Sequence, residues 1–186
     1  MTEAPVTPGP VLGGTARSEG LSGGEPPPLR QRIARVAAYV GRDDLLSRGD
    51  RAALRRLDGD SRDIPPAVFW RICYQFDIEP PEESFWMTAL PLMATHRHNP
   101  QQRAGRTLAA AGVSASRLER WLRLRKDSAR REARRLLARL GDGGIDWGEF
   151  GALLYRWDDN GRRSLARAFF RSPEFRQAPT SEGGNQ

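Results

Sequence analysis

Three observations predict an all-helical fold for this sequence, a compact bundle of about eight or nine helices forming one body or two lobes. Apolar residues recur at helical spacing through almost the whole middle of the chain. Helix-starting residues (Ser, Asp, Pro) stand ahead of these stripes, and Gly or Pro stands behind several of them. No segment alternates with the two-residue period of a strand.

Leu29, Ile33, Val36, Ala37 and Val40 form the first apolar stripe, which Gly41 is placed to end. Asp50 is the expected N-cap of a second helix burying Ala53, Leu54 and Leu57. Pro65 and Pro66 suit the opening turn of a third, with Val68, Phe69, Ile72, Cys73 and Phe76 inward, and Pro80-Pro81 closes it. A fourth helix is expected from Glu82 to His96, kinked or broken at Pro91, where an internal hydrogen bond is lost. A short Ala-rich helix then runs to Gly112, Ser114 caps a helix carrying Leu118, Trp121 and Leu122, and Asp127 caps the next. Asp146 and Glu149 have capping-box spacing ahead of Trp147, Phe150, Leu153, Leu154 and Trp157, and a last helix buries Leu165, Ala166, Phe169 and Phe170.

The Pro/Gly-rich start, residues 1–28, and the tail, 177–186, lack the large apolar side chains of a core and are expected to be disordered. The remainder divides at a seam near residues 98 to 103 into an N-terminal helical lobe, 29–98, and a basic C-terminal lobe, 99–176. No apolar run approaches the roughly 20 residues of a membrane span, and the start lacks the order of a secretion signal, so a cytoplasmic location is expected. Cys73, the single cysteine, cannot form an internal disulfide and reads as a small buried hydrophobe.

Charge is the most uneven property of the chain. Residues 97–139 hold thirteen of the thirty Lys and Arg but only Glu119, Asp127 and Glu132, a local net charge of +10 where the whole chain carries +7. Such a field suits a phosphate backbone. On a helical wheel Ala129, Ala133, Leu136, Leu137 and Leu140 share one face while Arg130, Arg131, Arg134, Arg135 and Arg139 take the other, so one helix can pack and present arginines together. The planar guanidinium fork pairs bidentately with phosphate oxygens. Arg125 falls on the wheel face of Leu118, Trp121 and Leu122 and is expected to be paired or at an interface. Arg117, Arg120 and Arg123 lie off that face, Arg103 and Arg106 come just before it, and Arg97 and Lys126 complete the candidate nucleic-acid-binding set.

No glycine-rich phosphate loop, nucleophile elbow or spaced carboxylate pair is present, so neither catalytic residues nor a cofactor are expected. Leu140 to Phe150 resembles half of a calcium loop, but Ala138 and Leu140 occupy its first and third ligand positions. Asp58, Asp60 and Asp63 lack a closing Glu, and His96 and His98 do not share a helix face, so no metal site is assigned. The run from Leu108 through Gly112 and Ser114 to Leu122 is written like a helix-turn-helix, which makes a DNA-binding transcriptional regulator the alternative function. Against it, Arg117, Glu119 and Arg120 stand where short polar base-readers are usual, a pattern that reads backbone rather than sequence.

Gly49-Asp-Arg-Ala-Ala-Leu-Arg-Arg56, Phe69-Trp70, the Trp86 to His96 helix, Gly105-Arg-Thr-Leu108, Ser116-Arg117 with Arg120-Trp-Leu122, Asp146-Trp147, Leu153-Leu-Tyr155 and Arg167-Ala-Phe-Phe170 occur in an order and spacing that resembles CasB, the small subunit of the type I-E CRISPR Cascade complex. The resemblance covers about residues 30 to 172. It implies an all-helical, non-catalytic subunit of an antiviral surveillance complex, present as two copies. The implied partners are crRNA, target DNA, the other Cascade subunits and a second copy of the chain, with the target and displaced strands held open as an R-loop. By position, Arg103, Arg106, Arg117 and Arg120 match basic or polar positions of the family pattern.

Overall fold

The computed structural model describes residues 28–58 and 64–177. Ten α-helices account for nearly all regular structure among them: α1 (Leu29–Gly41), α2 (Arg48–Arg56), α3 (Ala67–Gln75), α4 (Glu83–Thr95), α5 (Ala104–Ala110), α6 (Ala115–Leu122), α7 (Lys126–Leu137), α8 (Trp147–Arg156), α9 (Asp159–Phe170) and α10 (Pro173–Gln177). A 3-10 turn at Pro80–Glu82 leads into α4. The expected tails up to 27 and from 178, and Asp60 and Asp63, lie outside the described residues.

Several helix starts differ from the sequence expectation, each for a local reason. Ser47, not Asp50, caps α2; its hydroxyl accepts from the Asp50 N–H while the Asp50 carboxylate accepts from the Ser47 N–H, a reciprocal capping box. Asp127 is inside the first turn of α7, whose N-cap is Arg125. Asp146 does cap α8, but the Glu149 carboxylate turns away to accept from the Ala104 N–H at 2.9 Å, so one helix's acid caps the start of another, α5. Helix α4 continues through Pro91, whose ring is buried, and the Thr95 hydroxyl takes up the Pro91 carbonyl at 2.8 Å. Helix α10 is too short to leave a periodic signal; the Ser172 hydroxyl accepting from the Phe175 N–H holds its start.

One apolar cluster joins α1 to α9, with Trp86, Trp147, Phe69, Phe85, Phe150 and Phe169 fully buried. The main pairings are α1 on α8, α5 on α9 and α2 on α4. Glycines set two of the close approaches. A Cβ on Gly151 would lie 2.6 Å from Ile33 Cγ2, and one on Gly105 would lie 2.5 Å from the Leu165 carbonyl oxygen and 2.7 Å from the Phe169 nitrogen. The chain around residue 98 is stitched to that before α8: Asn99 N–H donates to the Ile145 carbonyl, Ile145 N–H to that of Arg97, and Asp146 N–H to that of Gln102, at 2.9–3.0 Å, giving an isolated parallel bridge between His98 and Ile145. Arg30, at the head of α1, closes on Asp146 at 2.6 Å.

Gly105→Ala is expected to destabilise the protein by about 1–3 kcal/mol, because the methyl meets helix backbone that cannot swing aside. Gly41→Ala, with nothing within 4 Å of the added atom, is the near-neutral control. Urea denaturation of both variants checks this.

Candidate nucleic-acid interface

Helices α6 and α7 carry most of the predicted cations. The Ser114 hydroxyl starts α6 by accepting from the Arg117 N–H, and the Trp121 indole N–H donates to the Ala129 carbonyl at 2.9 Å, fixing α6 against α7. Arg117, Arg120 and Arg135 thereby line one open groove of about 680 Å³, with the Ser114 and Ser116 hydroxyls at its edge. Arg117 is half-buried and donates to the Arg135 carbonyl at 2.6 Å, so part of its hydrogen-bonding capacity ties the two helices together. Arg135 pairs with Glu132 at 2.6 Å, whereas the exposed Arg120 side chain makes no ion pair or hydrogen bond among the described residues. Arg123 is 82% exposed and only 3.9 Å contact with Glu119 restrains it, an arrangement worth little in water. Around the corner of α7, Arg131, Arg134 and Arg135 border a second groove with Asp58 and Thr88, and Arg134 reaches the Arg55 carbonyl at 3.3 Å.

The structure corrects two wheel-based expectations. Helix α6 ends at Leu122, so Arg125 is not on its apolar face; it is the exposed N-cap residue of α7 and has no ion pair among the described residues. Arg130 does not stand outward with its neighbours. It is half-buried, donates to the Leu154 and Tyr155 carbonyls at 3.0 and 3.3 Å, and lies over the Phe85 ring at 5.3 Å. Burial lowers its pKa, and the role this geometry supports is closing the last turn of α8. Beside it Lys126 lies 5.6 Å from the Tyr155 ring centre, its pKa lowered by burial and then by the Arg130 charge. Arg139 is exposed and reaches the Gly112 carbonyl at 3.4 Å.

Arg103 and Arg106 do not join this surface. They line a groove between α5 and α9 together with Arg167 and Arg171, which sequence reasoning missed as cations. The available signal was their one-turn spacing on the face of α9 opposite Leu165 and Phe169. Arg97 is exposed at the chain stitch, where its carbonyl holds Ile145. The two histidines nearby have structural contacts. His98 Nδ1 accepts from the Trp147 N–H at 3.2 Å, the His96 carbonyl accepts from the Trp147 indole at 2.8 Å, and burial lowers the pKa of the His96 ring. Cys73 is buried, its thiol pushed up to about 11, first by burial and then by Glu83, as befits a small core residue. Among the described residues no group of His, Cys, Asp and Glu is placed to hold a metal ion, and no helix is long and apolar enough to cross a membrane.

An all-helical frame that presents arginines and the ordered sequence segments lead to one comparison. The family model described as CRISPR-associated protein Cse2 matches residues 50–171, about two thirds of the chain, from α2 to the end of α9. The chain belongs to the Cse2 family. Membership implies a non-catalytic small subunit of Cascade, with crRNA and other Cascade subunits as its partners. The Cse2 match leaves α1 outside, although α1 packs closely on α8. No curated protein and no solved structure matches the chain.

Arg130→Ala should cost about 1–3 kcal/mol in urea denaturation through two lost carbonyl partners, while the salt dependence of oligonucleotide binding stays at the wild-type value. His96 has a folded-state pKa below its ordinary value of 6.5, so the unfolded chain takes up its proton first. Its contribution to stability is complete above that value and falls as pH drops through it. His96→Gln should therefore flatten the loss of melting temperature between about pH 7 and 5.5 relative to wild type.

Proposed function

We propose that this Cse2 protein steadies the crRNA–target duplex and the displaced strand of the Cascade R-loop through sequence-independent contacts between arginines and phosphates. The observation that carries this reading is the concentration of cations in the α6–α7 segment, where nine bases stand against three acids in residues 115–137 and where Arg120, Arg123 and Arg125 are exposed. Duplex exchange in an R-loop is nearly balanced in free energy, so a few cationic contacts that ignore sequence can tip it. Such a subunit needs a basic surface and partner-facing sides, and it needs no reaction centre. A second copy of the chain beside it would lengthen the track without any new contact type. Helices α5 and α6 do form a helix-turn-helix outline around Gly112, whose φ is +71°. Family membership and the engagement of Arg117 with α7 favour the Cascade role over that of a transcriptional regulator.

Replacing both Arg120 and Arg135 with Ala should weaken binding about equally for unrelated oligonucleotides. It should also lower the slope of log K against log salt by roughly 1.4–1.8, at 0.7–0.9 per lost phosphate contact. Loss confined to one sequence would point to the regulator instead. Recovery of repeat-derived guide RNA and larger subunits with the tagged protein from its native cell is the expected cellular result.

A further inference from the structure

We propose that the groove between α5 and α9 is a second site for a sugar-phosphate chain, separate from the α6–α7 surface; this rests on the nucleic-acid-binding reading above and adds a place to it. Four arginines line it, Arg103, Arg106, Arg167 and Arg171, together with Ser164 and Ala168. The cause is a packing choice. Because Gly105 has no side chain, α5 lies directly on the backbone of α9 at Leu165 and Phe169, and the arginine that follows it comes alongside the two on α9.

The groove gathers charge of one sign. Arg167 and Arg171, the C-cap residue of α9, are one turn apart, where like charges repel, and Arg106 lines the same groove. The side chains of Arg106, Arg167 and Arg171 make no ion pair or hydrogen bond among the described residues. Arg103 meets one acid, Glu149, at 3.4 Å, and the other oxygen of that carboxylate is committed to the Ala104 N–H. A polyanion relieves this repulsion, and the exposed forks are free to take phosphate oxygens bidentately.

Two features select a chain of phosphates over other anions. Four guanidinium groups around a groove of about 280 Å³ exceed what one small anion neutralises, and the adjoining cleft, which shares Arg103 and Ser164, is mixed in charge, with Glu149 and Asp158 beside Arg30 and Arg156. The groove also lacks the large aromatic or aliphatic pocket that anchors a protein partner, its walls being arginine, serine and alanine. One subunit would then grip two stretches of backbone at once, on separate faces.

The test is fluorescence anisotropy of the full-length protein with a fluorescein-labelled oligothymidylate of about twenty nucleotides, titrated at several salt concentrations. The triple variant Arg106→Ala, Arg167→Ala, Arg171→Ala is expected to lower the salt slope by roughly 2, at 0.7 per single-strand contact, with a loss additive to that of the Arg120/Arg135 variant. Ser164→Glu, which places a carboxylate in the groove and removes no arginine, is expected to weaken binding in the same direction. A wild-type slope for the triple variant, together with wild-type affinity for Ser164→Glu, would overturn the second site while the Arg120/Arg135 loss still upheld the first. Absence of any salt-dependent binding by the wild-type chain would overturn both. Melting curves near wild type verify that the exposed substitutions leave the fold intact.

Discussion

Carbonyl groups at the ends of short helices need donors, and in this protein the donors come from other helices. With ten helices of five to thirteen residues among the described residues, much of the backbone there lies in last turns whose carbonyls have no partner within their own helix. The Arg55 guanidinium answers the Ala94 carbonyl at the end of α4, Arg130 those of Leu154 and Tyr155 at the end of α8, and Arg162 that of Leu122 at the end of α6. The Trp147 indole N–H does the same work at His96, the C-cap of α4, and the Trp157 indole holds the Leu124 carbonyl in the turn after α6. Each such bond joins two elements as well as closing one, so capping and tertiary packing are the same interaction here. Charged donors give the stronger bonds of this kind, worth about 1.5–3 kcal/mol net where buried.

This explains several of the arginines without recourse to a ligand, and it sharpens what remains. Arg55, Arg130 and Arg162 are structural, and Arg117 and Arg134 are partly so. Removing those from consideration leaves cations that helix capping does not use, chiefly Arg120, Arg123 and Arg125 near α6 and Arg106, Arg167 and Arg171 on the α5–α9 side. Net charge per segment marks where a field is strong, but whether a guanidinium is available depends on what the backbone beside it lacks. The proposed function draws on the cations left over, whose number decides how many phosphates the subunit can meet.

Helix identity was legible in the sequence because burial enforces period: Ile33, Val36, Ala37 and Val40 had to share a face, and they do. Starts were less legible where two capping residues compete within three positions, as with Ser47 and Asp50, since either could be read as the first. Arg125 shows how a wheel misleads once a helix stops: its apparent face existed only on a continuation beyond Leu122. Arg130 shows the opposite failure, an outward residue on its own wheel drawn inward by the open end of α8 and the face of Phe85. Arg167 and Arg171 were hidden by distance along the chain, because Gly105 brings them to Arg106 across some sixty residues and no local pattern encodes that approach.

The salt bridge between Arg30 and Asp146 spans 116 residues and marks the meeting of α1 with α8. During synthesis, at roughly 5–20 residues per second, the apolar stripe of α1 must wait about 6–23 s for its main partner to be made. Once α4 has been made, it offers α1 a packing surface for the rest of that interval. The order of translation thus runs against the order of packing, and the polypeptide leaves the ribosome with α1 among the last of its described helices to be fully covered.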